Sequence, residues 1–114
     1  MTMRAIRSTL AIVALLACNV ARADTLTIDQ AMSARRALDA VQAAGARVDT
    51  KPEVRAWLLD DVAIARRALE TAERSDVKQR LIDLAIRARV AAMLLNTPAL
   101  TSAAAAVDGL AQRL

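Results

Sequence analysis

The sequence predicts an all-α protein: a small antiparallel bundle of three or four helices that follows a cleaved signal peptide. Alanine, the strongest helix former, supplies 22 of the 91 residues from Asp24 to Leu114. Apolar residues in that range recur at spacings of three and four, which is the period of an amphipathic helix. The chain holds a single cysteine, so no disulfide within the chain stabilises the fold.

Residues 1–23 carry the pattern of an export signal. Two arginines precede an unbroken apolar run, and Ala21 and Ala23 are the small residues that a signal peptidase recognises. The apolar run has nine residues, whereas a helix needs about 20 to span a bilayer. We therefore expect cleavage after Ala23, which leaves a single domain, residues 24–114, that begins with Asp24 and is periplasmic or secreted.

The same segment supports a second interpretation. Leu15-Leu16-Ala17-Cys18 resembles a lipobox, the motif at which bacterial lipoproteins are cleaved and their cysteine is acylated. Lipidation at Cys18 would anchor the protein to the inner or outer membrane, and we expect membrane contact only in that form. Cleavage after Ala23 and lipidation at Cys18 stay open as alternatives.

The composition excludes several classes of function. The full chain has a formal net charge of +4, but three arginines lie in the signal, so residues 24–114 hold 13 basic and 12 acidic residues. That balance, with one aromatic residue, is not typical of a nucleic-acid-binding domain. Without histidine the chain cannot form a Ser-His-Asp site or an imidazole metal site. We therefore expect no enzymatic activity and no cofactor.

The first helix is predicted to begin after Thr27, which stands at capping-box spacing from Gln30. Gly45 is placed to end the helix in a left-handed conformation. The predicted inward face is the stripe of Ala31, Ala34, Leu38 and Val41, widened by Ile28 and Met32.

The second helix is predicted from Pro52 to about Arg74. Thr50 and Glu53 repeat the capping-box spacing, and Pro52 falls in the first turn, where its missing N–H costs little. Trp57, the only aromatic residue, is expected to be a core anchor. The alternative is an exposed contact for a partner, because tryptophan is enriched at interface hot spots. The predicted inward residues are Val54, Trp57, Leu58, Ala65, Ala68, Leu69 and Ala72.

Ser75 is the predicted N-cap of a third helix over Asp76–Leu95, although one helix running through Ser75 stays open. This helix is predicted to end at Asn96-Thr97-Pro98, because a proline disfavours the helical conformation of the residue before it. The predicted inward residues are Val77, Leu81, Leu84, Ala85, Ala88 and either Leu94 or Leu95.

A fourth helix is predicted from about Ala99. Gly109 lowers its intrinsic helicity by about 1 kcal/mol relative to alanine, so the helix must dock on something. We expect it to close the protein's own bundle, because the turn before it is short; the alternative is that its large side chains contact a partner. The residues that would make either contact follow the 3-4-3-4 spacing of a packing seam and are Leu100, Ala103, Val107, Leu110 and Leu114.

The charged residues are predicted to form solvated helix faces. The acidic pairs Asp60-Asp61 and Glu70/Glu73 lack the histidines of bundle metal sites, so no metal is expected. Oppositely charged residues stand four apart, the spacing of ion pairs along one helix: Arg35/Asp39, Arg66/Glu70, Glu70/Arg74, Asp76/Arg80 and Asp83/Arg87. An alternative function is anion binding by arginines that point into the bundle, and the candidates are Arg35, Arg66 and Arg67.

Part of the domain, from Gln30 to Met93, is similar to a family of small α-helical envelope domains of unknown function. The residues that carry the resemblance are Ala43-Ala44-Gly45-Ala46, Pro52-Glu53, Ala65–Glu73, Ser75-Asp76 and Leu81–Ala92. Members of the family are usually lipoproteins, and some precede an OmpA-like peptidoglycan-binding domain. Where the family often has a Gly-Asp turn, this chain has Ser75-Asp76. The resemblance implies a helical fold and an envelope location, and it implies no activity.

Together these observations predict an exported, non-enzymatic protein that acts through protein contacts in a bacterial envelope. The expected partner is an unidentified envelope protein, and the oligomeric state is left open. The alternatives are a small periplasmic protein that binds an anionic ligand and a holdase-type stress protein that exposes apolar surface.

Overall fold

The computed structural model describes residues 24–114, which form four α-helices: α1 (Ile28–Ala46), α2 (Pro52–Thr71), α3 (Arg74–Leu95) and α4 (Pro98–Arg113). Each helix packs against the next one in the sequence, and α4 packs back against α1. Because the connections are short, neighbouring helices run antiparallel and close a ring in which α1 and α3 lie diagonally opposite each other. The predicted all-α bundle is confirmed, with four helices.

The predicted lipidation at Cys18 and the signal-peptidase residues Ala21 and Ala23 lie outside the described residues. None of the helices in residues 24–114 combines the length and the hydropathy that a membrane-spanning helix requires.

Alanine allows the helices to approach one another closely. The centre of the core is made of leucines with almost no exposed surface, namely Leu38, Leu58, Leu81, Leu84 and Leu100. The helix interfaces around them contain fully buried alanines, among them Ala34, Ala88, Ala91, Ala104 and Ala111. Because an alanine adds only a methyl group, the backbones pack directly against one another and a few large side chains suffice for a core.

α1 begins as predicted and ends differently. The capping box forms: Gln30 N–H donates to Thr27 Oγ1 at 3.1 Å, and Thr27 N–H donates to Gln30 Oε1 at 2.9 Å. The prediction that Gly45 ends the helix in a left-handed conformation is wrong, because the helix continues to Ala46 and no described glycine has a positive φ. Gly45 instead lets α2 approach, since a Cβ at this position would lie 3.2 Å from Leu58 Cδ2.

The inward stripe of α1 is narrower than predicted. Leu38 and Val41 are buried, whereas Ile28 and Met32 are exposed. At about 100° per residue, the side of the helix that holds Ile28 and Met32 is rotated by more than a quarter turn from the buried stripe. The prediction that these two residues widen the stripe is therefore wrong.

α2 starts without the predicted cap. Lys51, and not Thr50, is the N-cap residue; it adopts a left-handed conformation with a φ of 50°, and no side chain caps the helix. The predicted capping box of Thr50 and Glu53 is therefore wrong, while Pro52 occupies the first turn as predicted. The Lys51 ammonium donates to the Leu94 carbonyl at 2.7 Å, which ties the start of α2 to the end of α3.

α2 and α3 are separate helices, and the break lies at Ala72 rather than at Ser75. Ala72 has a left-handed conformation with a φ of 56°, and α3 begins at Arg74. Residues 24–26 hold this turn: Leu26 N–H donates to the Ala72 carbonyl at 2.8 Å, and Arg74 N–H donates to the Asp24 carbonyl at 2.6 Å. Ser75 lies inside the first turn of α3, so its predicted role as N-cap is wrong. The helix begins earlier than predicted because a segment distant in sequence fixes the turn.

α4 completes the ring. Asn96 ends α3 in a left-handed conformation, and α4 begins at Pro98, one residue from the predicted start. The helix packs against both α3 and α1. The expectation that α4 closes the protein's own bundle is confirmed, because its seam is buried at Leu100, Ala103, Val107 and Leu110.

Candidate interaction surface

One side of the closed bundle exposes large apolar side chains. On α3, Ile86, Val90 and Met93 are spaced four and three residues apart, so they form one line along the helix. Leu94 lies beside that line, and the exposed fractions run from 43% for Val90 to 82% for Met93. Together with Trp57 of α2, these residues form the surface that we call the α3 face: Trp57, Ile86, Val90, Met93 and Leu94.

The α3 face points outward because the other side of the helix fills the core. The predicted inward residues of α3 are buried, and of the two alternatives at its end Leu95 faces inward while Leu94 faces outward. The sequence does indicate the α3 face, because Ile86, Val90 and Met93 form a second apolar series on the side of the helix away from the inward residues. The sequence prediction assigned only the inward side of α3 and missed this series.

Trp57 is not the core anchor that the sequence predicted. Its side chain is 39% exposed, and the buried Leu58 takes the central place in this part of α2. The guanidinium carbon of Arg87 lies 5.8 Å from the centroid of the Trp57 ring, within the range of a cation–π contact. Trp57 lies one turn before Asp61 on α2, and Val90 lies about one turn after Arg87 on α3. Because the two helices are antiparallel and Asp61 pairs with Arg87, Trp57 is level with Val90.

Ion pairs border the α3 face on both sides. Toward α2, Arg87 Nη1 donates to Asp61 Oδ1 at 2.8 Å. Toward α4, Arg89 Nη2 donates to Asp108 Oδ2 at 3.0 Å. Both arginine side chains are about half exposed, so each reaches from the surface to a carboxylate on a neighbouring helix. The rim thus links α3 to both of its neighbours.

Asp61 is the one buried charged residue in the described part of the chain. Burial removes its carboxylate from water and raises its pKa above the ordinary value. The nearby Asp83 raises this pKa as well, whereas the charge of Arg87 lowers it. Since the pKa is raised overall, the lost hydration of the carboxylate and its repulsion from Asp83 together outweigh the attraction to Arg87.

An open groove extends the surface beyond Met93, at the turn between α3 and α4. The groove is lined by Ala92, Met93, Asn96, Thr97, Pro98, Thr101 and Ser102. Its hydroxyl and amide groups can form hydrogen bonds with a partner, and none of the lining side chains is charged.

The residues predicted as alternative partner contacts divide between the surface and the core. Trp57 belongs to the α3 face. Leu100, Val107 and Leu110 are buried, and Leu114 is half-buried and packs against the same core. A partner could reach Leu100, Val107 and Leu110 only if the bundle opened.

The arginines considered for anion binding do not converge inside the bundle. Arg35 and Arg67 are exposed. Arg66 Nη2 donates to Asp39 Oδ1 at 2.6 Å, so its charge is already paired. Glu70 lines the same groove as Arg35 and Arg66, and its carboxylate would repel a bound anion.

Three of the four ion pairs within the described residues join different helices, and one joins successive turns of a single helix. Of the pairs predicted from a spacing of four, only Asp76–Arg80 forms, at 3.9 Å. The shorter pairs come from tertiary packing and are Arg66–Asp39, Arg87–Asp61 and Arg89–Asp108. Residues 24–114 contain no group of three or more cysteine, aspartate or glutamate side chains placed to hold a metal ion.

No family model matches the chain, and no curated protein or solved structure is detectably similar to it.

Proposed function

We propose that this protein is exported and acts, without catalysis, through protein–protein contacts in the cell envelope. The α3 face carries the proposal, because it leaves five large apolar side chains in water on a bundle whose α4 seam is already closed. Exposed apolar patches with a polar rim are typical of interaction sites. Tryptophan, methionine and arginine are enriched in such interfaces, and Trp57, Met93 and Arg87 supply all three.

Export rests on the signal pattern of residues 1–23, with lipid anchoring at Cys18 as the alternative route. The intact mass of the protein purified from its native host distinguishes the two. A chain that begins at Asp24 supports release after cleavage at Ala23. A diacyl or triacyl adduct on Cys18 would instead place the protein on a membrane surface, and a chain that keeps residues 1–23 would contradict export by either route.

Site-specific photo-cross-linking in the native host tests the contact itself. A photoreactive amino acid replaces Met93, the most exposed residue of the α3 face. The matched control replaces Met32, an exposed methionine on the diagonally opposite helix α1. We expect discrete cross-linked products from position 93 and none from position 32. Equal products from both positions, or none from position 93, would contradict the proposal.

A further inference from the structure

We infer that the α3 face binds a second copy of this chain, with the two α3 helices antiparallel and Val90 at the centre of the contact. This inference rests on the proposed function, because it names the partner of the same surface. Three features carry it: the spacing of the apolar residues, the area that they expose, and the mixed charge of the rim.

The spacing makes the α3 face complementary to itself. Ile86 and Leu94 each lie four residues from Val90, on either side of it. In an antiparallel pair centred on Val90, this residue meets its own copy, and Ile86 meets Leu94 of the second copy. A two-fold axis through this point relates the two copies, so that both chains make the same set of contacts. Trp57, level with Val90, joins the centre of the contact from α2.

The exposed area is enough for a weak dimer. Taking roughly 150–250 Å² for a fully exposed large side chain, the exposed fractions of the five residues correspond to about 500 Å² of surface for each copy. Two copies would bury about 1,000 Å², which is near the lower limit for a specific interface. We therefore expect a weak, reversible dimer rather than a permanent one.

The charges around the face favour a second copy over a surface of a single sign. Arg87 and Arg89 are half-exposed cations on its two sides. Glu53 and Asp60 are exposed and lie about one turn before and after Trp57 on α2. A rim of both signs can complement its own reversed copy, whereas an anionic bilayer would attract the arginines and repel the carboxylates.

Sedimentation equilibrium of the chain from Asp24 to Leu114, over about 5–500 µM, tests the inference. We expect a monomer–dimer equilibrium that Val90→Glu weakens at least tenfold, because two carboxylates of like charge would meet at the centre of the contact. Met32→Glu is the matched control, because it places the same charge at another half-exposed apolar side chain, and it should leave the equilibrium unchanged. A chain that stays monomeric throughout, or one that both variants weaken equally, overturns the inference.

Cysteine cross-linking tests the register of the pair. Residues 24–114 contain no cysteine, so Val90→Cys introduces a single thiol. Under mild oxidation we expect Val90→Cys to form a covalent dimer and Met32→Cys to remain monomeric; no dimer from Val90→Cys would contradict the register. If the purified chain is monomeric and position 93 still cross-links to a different protein, self-association fails while the proposed function stands.

Discussion

Arg87 reaches from the surface of α3 to the buried carboxylate of Asp61 on α2, with 2.8 Å between its Nη1 and Oδ1 of Asp61. The same guanidinium lies over the ring of Trp57. One arginine therefore joins the only buried charge of the described chain to the aromatic residue of the α3 face. Burial raises the pKa of Asp61 even though the charge of Arg87 beside it lowers that pKa.

Asp61→Asn should leave the fold intact at neutral pH, and should stabilise it or change its stability by less than about 1 kcal/mol. The amide still accepts a hydrogen bond from Arg87, and Arg87 is exposed enough to keep its own hydration. Urea unfolding at pH 7 measures the change. Asp60→Asn, an exposed neighbour, is the control for loss of an acidic side chain.

The same variant should also flatten part of the pH dependence of stability. In the native state the pKa of Asp61 is raised, so the native state binds the proton more tightly than the unfolded chain. The contribution of this group therefore falls as pH rises from its ordinary value of 3.8 through the raised native value, and is constant above that. Wild type should lose stability relative to Asp61→Asn across this window. A relative gain with rising pH would show that the pairing with Arg87 dominates.

The two glycines should respond differently to alanine. Gly109→Ala should raise the free energy of unfolding by about 0.5–1 kcal/mol, because the nearest atom to the added Cβ is Arg113 Nη1 at 3.7 Å. Gly45→Ala should give no such gain, because its Cβ would press on the fully buried Leu58. Thermal or urea unfolding of the two variants measures this, and an equal gain at both positions would contradict the close approach of α1 and α2.

Ala72→Gly should stabilise the fold by about 1 kcal/mol, because a left-handed conformation strains an L-residue and not a glycine. The hydrogen bonds from Leu26 and to Asp24 hold the turn in both variants. Ala68→Gly is the control, since Ala68 is buried within α2 and should lose stability instead. A loss at Ala72 similar to that at Ala68 would argue for an uninterrupted helix.

Local signals in the sequence were enough to predict the fold. The capping box of Thr27 and Gln30 formed because both partners lie within one turn. Apolar spacing correctly placed Leu38, Leu84 and Leu100 in the core, because each lies in the apolar stripe that its helix packs against the two neighbouring helices. The sequence prediction placed the break at Ser75 instead of Ala72, since the backbone hydrogen bonds that fix it involve Asp24 and Leu26, which are distant in sequence.

The candidate surface was only partly predictable. Trp57 was expected to be buried because its spacing places it on the inward side of α2. Spacing does not show how far a residue at the edge of that side lies from the core. Leu58, one residue further, fills the space that the bundle leaves for a large side chain. The pairing of Arg87 with Asp61 also depends on which helices become neighbours, and a spacing of four pointed to Asp83 instead.

Removal of α4 tests most directly the claim that this helix closes the bundle and leaves the α3 face as the contact surface. The seam residues Leu100, Val107 and Leu110 are buried, and at about 1.5–3 kcal/mol for each large side chain they rival the stability of about 5–15 kcal/mol typical of a domain. A chain that ends at Pro98 should lose most of its helical circular dichroism and its cooperative thermal transition. A truncated chain with the same helicity per residue and the same midpoint would show that the α4 seam is free for a partner, and would contradict this account.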